Sequence, residues 1–432
     1  MKTKAVRLYG ENDIRLEEFE LPSLKDGEIL IKVVSDSVCM STYKTVKQGA
    51  KHLRVPDDIA KHPVIIGHEF CAEIVEVTDK WKTQFHVGDK VAMPPVLSYL
   101  GGMQTVGYSF GEIGGVSTYS IVYEHIIENG YLMKLESDCF FKGSLIEPAS
   151  CVIRGYKGSL HLDASGTPYA SLKPGGKVAI LAGCGPMGLV AIDLALHGTV
   201  KPSVVVVTDL DEDRLARAKV LFPPEKATQD GIQLVFSKST CKDELIALAG
   251  GEYDDVFVYA PVPAVVELGD AILGFDGCLN FFAGPLDQNF SAKFNFYNVH
   301  YKQHHVSGTS GSTIEDMRDI VHLIGQKQID PAVMITHIGG MDAAIDTTIH
   351  LPQIPGGKKL IYTHIVLLKR SCRNISTLTK APTTTMNTTT TWMRFITTPT
   401  FCSRLYRLCT EANGRLTKWA AQFKYCSTSS IS

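Results

Sequence analysis

The stretch KVAILAGCGPMG, from Lys177 to Gly188, decides the fold: an apolar strand, then glycines at the first, third and sixth positions of a turn opening onto a helical pattern over 189–196. Gly183 permits the tight turn, Gly185 lets the backbone approach a pyrophosphate, and Gly188 lets helix and strand pack closely. Pro186 and Met187 stand at the helix start, where free amides attract an anion. The run 204–208 is four valines and a threonine, a fully buried strand by composition, and Asp209 ends it 21 residues after Gly188. A carboxylate there accepts hydrogen bonds from an adenosine ribose. It also repels a 2′-phosphate, which favours NAD over NADP, and Arg214 partly offsets that repulsion. Alone, a glycine pattern of this kind is weak; the order strand, loop, helix, strand, acid supports a dinucleotide site over ordinary turns.

Beyond this unit, helical patterns over 211–220, 242–249 and 264–273 alternate with strands over 234–236, 255–260 and 278–283. That alternation predicts an α/β, doubly wound parallel sheet with helices on both faces. Upstream, short strands over 4–8, 14–18, 28–35, 69–77 and 87–93 predict a mostly β, barrel-like domain. Residues 98–115 hold six glycines and one charged residue, Glu112, the composition of a close-packed loop. A connecting helix is expected over 146–160, with Pro148 tolerated near its first turn. Helices over 314–324 and 341–350 and extended runs over 331–336 and 360–365 form a bridge back to the first domain. The expected division is 1–154, 155–310, a return segment 311–366, and an atypical tail 367–432.

At 432 residues the chain is long enough for two domains, and its composition, 44% apolar and 20% charged, is globular. A formal net charge of -2 gives no general reason to expect nucleic acid. No signal-peptide pattern and no long apolar run is present, so a cytoplasmic protein off the membrane is the expectation. The 11 cysteines are scattered and read as reduced thiols, one or two of them free to hold a metal.

Three donors stand out: Cys39, His68 and Glu147. A thiolate, an imidazole and a carboxylate leave a fourth position open on a catalytic zinc. Taken singly, Cys39 reads as a small buried hydrophobe and His68 as a structural histidine, so their settings must decide. Gly67-His68-Glu69-Phe70, then Cys71-Ala72-Glu73, and Val87-Gly88-Asp89-Lys90-Val91 resemble the zinc-dependent medium-chain alcohol and polyol dehydrogenases. Cys39 before Ser41 resembles that family's first ligand segment, and Glu147-Pro148 its third ligand in the sorbitol dehydrogenase branch. Ser307 to Gly311 and Thr336 to Gly340 give the closest resemblance, to the L-sorbose 1-phosphate reductases and neighbouring polyol-phosphate dehydrogenases.

The resemblance covers roughly residues 1–366 and implies a GroES-like catalytic domain, a Rossmann cofactor domain, one zinc per subunit and a homodimer or homotetramer. It implies Ser41 as proton relay, with Lys44 where relatives place an outer relay histidine and Glu69 as a neighbouring or transient fourth ligand. Met40 and Thr42 replace the usual Gly and Asp, and a simple capping role for Ser41 stays open. The implied reaction is NAD(P)H-linked, reversible reduction of a ketose phosphate to a hexitol phosphate. Oxidation of a free polyol, a hydroxy amino acid or another secondary alcohol is the enzymatic alternative, and a cofactor-binding but inactive protein the non-enzymatic one. A phosphorylated substrate needs a cation, for which Lys44, Lys47, Lys51 and Arg54 are candidates. The second, four-cysteine zinc site of many relatives is not expected, since no cysteine lies between Cys71 and Cys139.

The first 366 residues carry a formal charge of -11, and residues 367–432 carry +9, with ten Lys or Arg against Glu411. Residues 382–400 contain ten threonines, a poor helix-forming composition. A change of reading frame near residues 366–369 is the expected origin of this basic, Thr-rich and partly disordered extension, with a genuine small module as the alternative.

Overall fold

The computed structural model describes residues 1–135, 137, 139–365 and 393–394; of the tail, Met393–Arg394 alone lies within the described residues. At the centre of a six-stranded parallel sheet is Lys177–Leu181, in the order Gln233–Ser237, Val204–Thr208, Lys177–Leu181, Tyr253–Val258, Leu273–Phe281, His305–Gly308. The chain winds outward to one side, crosses back, and winds outward to the other. The strand order therefore reverses between Lys177–Leu181 and Tyr253–Val258, and the crevice beyond their carboxyl ends is where such sheets bind ligands. The glycine-rich turn and helix Pro186–His197 open there.

A second sheet has the order Met393–Arg394, Ile335–Gly340, Lys358–Tyr362, Ile29–Ser37, Phe70–Val77, Lys90–Ala92, Met133–Lys134, with Tyr119–Val122 also pairing with Ile29–Ser37. Its pairings are antiparallel except Ile335–Gly340 with Lys358–Tyr362. Ile31, Val33, Phe70, Ala72 and Ile74 meet in its core. Lys358–Tyr362 lies beside Ile29–Ser37 with Leu360 opposite Ser37, so residues from the far end of the described chain complete the sheet that carries Cys39.

Several elements differ from the sequence reading for local reasons. A helix, Met40–Gln48, follows Cys39, where no apolar stripe predicts one; burial of Thr42, Thr45 and Val46 holds it. Strand Tyr253–Val258 begins before Asp255, because that buried acid accepts from Lys173 N at 3.0 Å and lies 3.0 Å from His161 Nε2. A short 3-10 turn, Pro331–Met334, precedes strand Ile335–Gly340, with Asp330 accepting from Ala332 N as its cap. The loop over 98–115 packs on the His68 turn: a Cβ at Gly107, whose φ is +82°, would stand 2.2 Å from Gly67 O and 3.1 Å from His68 Cβ.

Candidate active site

Strand pairing brings the donors together. Ile29–Ser37 and Phe70–Val77 run antiparallel with Asp36 opposite Phe70, and Ser37 N donates to Glu69 O at 2.8 Å. Cys39, just past one strand, therefore meets His68 and Glu69, just before the other. One donor atom from each of Cys39, His68 and Glu69 lies within 4.8 Å of the others. Glu147, in the first turn of helix Ile146–Lys157, stands outside this tight trio but close enough that its charge is felt at Cys39 and that of Glu69 is felt at Glu147.

Neighbouring groups orient the site. Thr42 Oγ1 lies 3.2 Å from His68 Nδ1, so the side chain in the unexpected position holds the ring and leaves Nε2 for the centre. Ser41 Oγ lies 2.9 Å from Cys39 Sγ and 3.5 Å from His68 Nε2, and the buried Tyr108 ring stands 5.1 Å from the His68 ring. Lys358 Nζ donates to both Glu69 oxygens at 2.6 Å, a buried pair. Cys151 Sγ donates to Glu147 Oε1 at 3.7 Å.

Burial, then the charge of Glu69, pushes the Cys39 thiol up to about 12. The same two causes push Glu147 up to about 8, and burial brings His68 down to about 4. His68 is thus a neutral imidazole at pH 7. With Glu69 and Lys358 paired, a thiolate at Cys39 and a carboxylate at Glu147 add two negative charges, the complement of a divalent cation. The donor set of sulfur, nitrogen and oxygen fits zinc.

If zinc is held by Cys39 and Glu147, loading it would displace a proton from each. Affinity should therefore rise with pH, by roughly 100-fold per unit below about pH 8. Titration calorimetry in buffers of different ionisation enthalpy counts those protons; an affinity independent of pH would remove Cys39 and Glu147 as ligands.

At the cofactor loop the three glycines differ in their surroundings. A Cβ at Gly183 would stand 2.8 Å from Ile180 O, and one at Gly188 would stand 2.1 Å from Gly183 O, so both positions exclude a side chain. Gly185 has nothing within 4 Å of that position, an open face at the helix start. Pro186 and Met187, both half-buried, begin the helix. Asp209 accepts from Cys184 N and from Asp211 N, each at 3.1 Å, which ties the loop to the next strand. Arg214 Nε lies 3.5 Å from Asp211 Oδ2. Lys44 makes no hydrogen bond to Ser41; its Nζ lies 3.9 Å from where a Cβ of Gly284 would stand. Tyr108, Lys358 and the role of Thr42 escaped the sequence reading. The pair Lys358-Lys359 beginning an otherwise apolar strand was the available signal.

Residues 25–130 match the alcohol dehydrogenase GroES-like domain and residues 186–326 the zinc-binding dehydrogenase model. L-sorbose 1-phosphate reductase of Klebsiella pneumoniae is 45% identical over 363 residues, covering 84% of this chain and 88% of that protein. The chain belongs to the zinc-dependent medium-chain dehydrogenase family. This dehydrogenase is also 44% identical to mannitol-1-phosphate 5-dehydrogenase of Aliivibrio fischeri over 383 residues, 87% of this chain and 90% of that protein. The solved structure of 2R,3R-butanediol dehydrogenase from Bacillus subtilis superposes with a TM-score of 0.67 at 23% identity, over 84% of this chain and 99% of that one. The fold is thus that of the family, a GroES-like domain joined to a Rossmann domain, and the family's activity is NAD(P)-linked oxidoreduction. Among the described residues, no helix is long and apolar enough to cross a membrane.

Proposed function

We propose that this dehydrogenase reduces a ketose phosphate such as L-sorbose 1-phosphate to a hexitol phosphate with NADH, reversibly. The observation that carries the reading is the meeting of Cys39, His68 and Glu69 beside the Ser41 hydroxyl. The substrate class is supported by the sugar-phosphate activities of L-sorbose 1-phosphate reductase and mannitol-1-phosphate 5-dehydrogenase, the two relatives described above.

Zinc held by Cys39, His68 and Glu147 would polarise the substrate oxygen, and a nicotinamide would supply or accept the hydride. The chain's own residues do the rest. Thr42 fixes the tautomer and ring orientation of His68. Ser41, able to donate and accept at once, moves the proton at the substrate oxygen from its place beside Cys39 and His68. Lys358 keeps the Glu69 carboxylate paired beside the donors, in place to lend an oxygen. Asp209 receives the adenosine ribose, and Gly185 leaves its amide side open to the pyrophosphate. The preference for NADH rests on Asp209.

Initial rates on L-sorbose 1-phosphate, L-sorbose, D-mannitol 1-phosphate and D-mannitol, with either nicotinamide, test the reading. Turnover of the phosphorylated member of each pair with NADH or NAD is expected. Higher efficiency on the free sugars would move the reading to a polyol dehydrogenase. NADH binding without turnover of any substrate would make the chain a silent binder. An NADPH preference above about tenfold would remove the role given to Asp209.

Self-association into a homodimer or homotetramer is part of the proposal. Phe296, Tyr297, Tyr301 and Val306 are exposed beside the edge strand His305–Gly308, an apolar patch of the kind interfaces cover. A monomer in sedimentation at micromolar concentration would oppose it.

A further inference from the structure

The four cations that follow Cys39 in the chain have different fates. Lys51 is exposed and donates to Glu11 at 2.8 Å. Lys47 is exposed and lies 5.6 Å from the centre of the Tyr43 ring. Lys44 reaches toward Gly284, on the cofactor side of the cleft. Arg54 remains. It is half-buried, and its backbone is held on both sides, N donating to His52 Nδ1 at 3.2 Å and O accepting from Ser109 Oγ at 2.7 Å.

No carboxylate or other hydrogen-bond acceptor among the described residues takes the Arg54 guanidinium. The Tyr108 ring stands between His52 and His68, 5.4 Å from one and 5.1 Å from the other, so a short stack of rings joins the Arg54 turn to the candidate metal ligand. A half-buried arginine with no anionic partner among the described residues can take one from a ligand, and its planar fork matches a phosphate at two points.

We propose that Arg54 receives the phosphate of the substrate while the reacting carbon lies at Cys39, His68 and Ser41. Arg54 would then be the residue that separates sugar phosphates from free sugars, which rests on the reading that the substrate is phosphorylated. The lysines would leave that discrimination untouched, because Lys51 has its own carboxylate and Lys44 faces the cofactor side.

The test compares wild type, Arg54→Gln, Arg54→Lys and Lys51→Gln on the matched pair L-sorbose 1-phosphate and L-sorbose. The quantity read is the ratio of the two kcat/KM values, with zinc content and thermal midpoint recorded for each protein. Arg54→Gln should lower that ratio by roughly 10- to 100-fold, mainly through KM for the phosphate. Arg54→Lys should recover part of it, and Lys51→Gln should keep the wild-type ratio. Calorimetry of D-mannitol 1-phosphate binding to the protein with NADH, a pair that cannot exchange a hydride, should show the same order. A wild-type preference for phosphate that persists in both Arg54 variants overturns Arg54 alone. Equal wild-type efficiency on the two substrates overturns the phosphorylated substrate and Arg54 with it.

Discussion

Cys39→Ser is expected to lower kcat/KM by roughly 10³- to 10⁴-fold, the several kcal/mol that a Lewis-acidic ion supplies to a developing alkoxide. A serine hydroxyl does not ionise where burial already resists ionisation of the more acidic thiol, pushed up to about 12. Zinc content should fall from one ion per chain to less than about a tenth of that. NADH affinity serves as the control. The cofactor loop at Gly183 to Gly188 belongs to the other sheet, so binding should stay within about threefold of wild type if the fold is intact. Metal analysis, fluorescence titration with NADH and initial rates decide the matter together. A variant that keeps its zinc and its rate would place the metal elsewhere, and two tightly held ions in wild type would add a site outside this centre.

Lys358→Met is expected to destabilise the protein by about 3–5 kcal/mol, because it leaves a carboxylate buried without its counter-charge. Glu69 and Lys358 are almost wholly removed from solvent and joined by two 2.6 Å hydrogen bonds. Asp36, buried beside them and raised well above the usual carboxylate range by burial and then by the Glu69 charge, offers no compensation. Adding Glu69→Gln to Lys358→Met should restore at least half of the loss, since the amide needs no counter-ion. Denaturant unfolding of the three proteins measures this. A single variant that unfolds at the wild-type midpoint would show that the pair does not support the fold, and a double variant no better than the single would point to packing of the lysine stem instead. Activity is a separate readout: if Glu69 lends an oxygen to the metal, the double variant stays slow although it is stable.

Much of the cofactor half was legible because its signals are local. The glycines of 183–188, the valine run and Asp209 lie within a few tens of residues, and each acts through backbone it adjoins. Cys39, His68 and Glu147 were legible only through the residues flanking them, and their roles rest on a resemblance rather than on spacing. Helix Met40–Gln48 was not legible, since β-branched and polar residues give it no stripe and its stability comes from what covers it. Strand His305–Gly308 was missed for a similar reason, as an edge strand alternating between half-buried and exposed positions.

Alone, the order of residues determined that a parallel, doubly wound sheet follows a mostly β domain, because strand, turn and helix preferences are written over short windows. Tertiary structure alone decided which side chains share the buried centre. Lys358 reaches Glu69 across 289 positions, Thr42 takes Nδ1 of His68, the Tyr108 ring packs by His68, and among the described residues no acceptor takes the Arg54 guanidinium while Lys51 finds Glu11. Such pairings arise from strand register and loop packing between distant segments, and no periodicity along the chain encodes them.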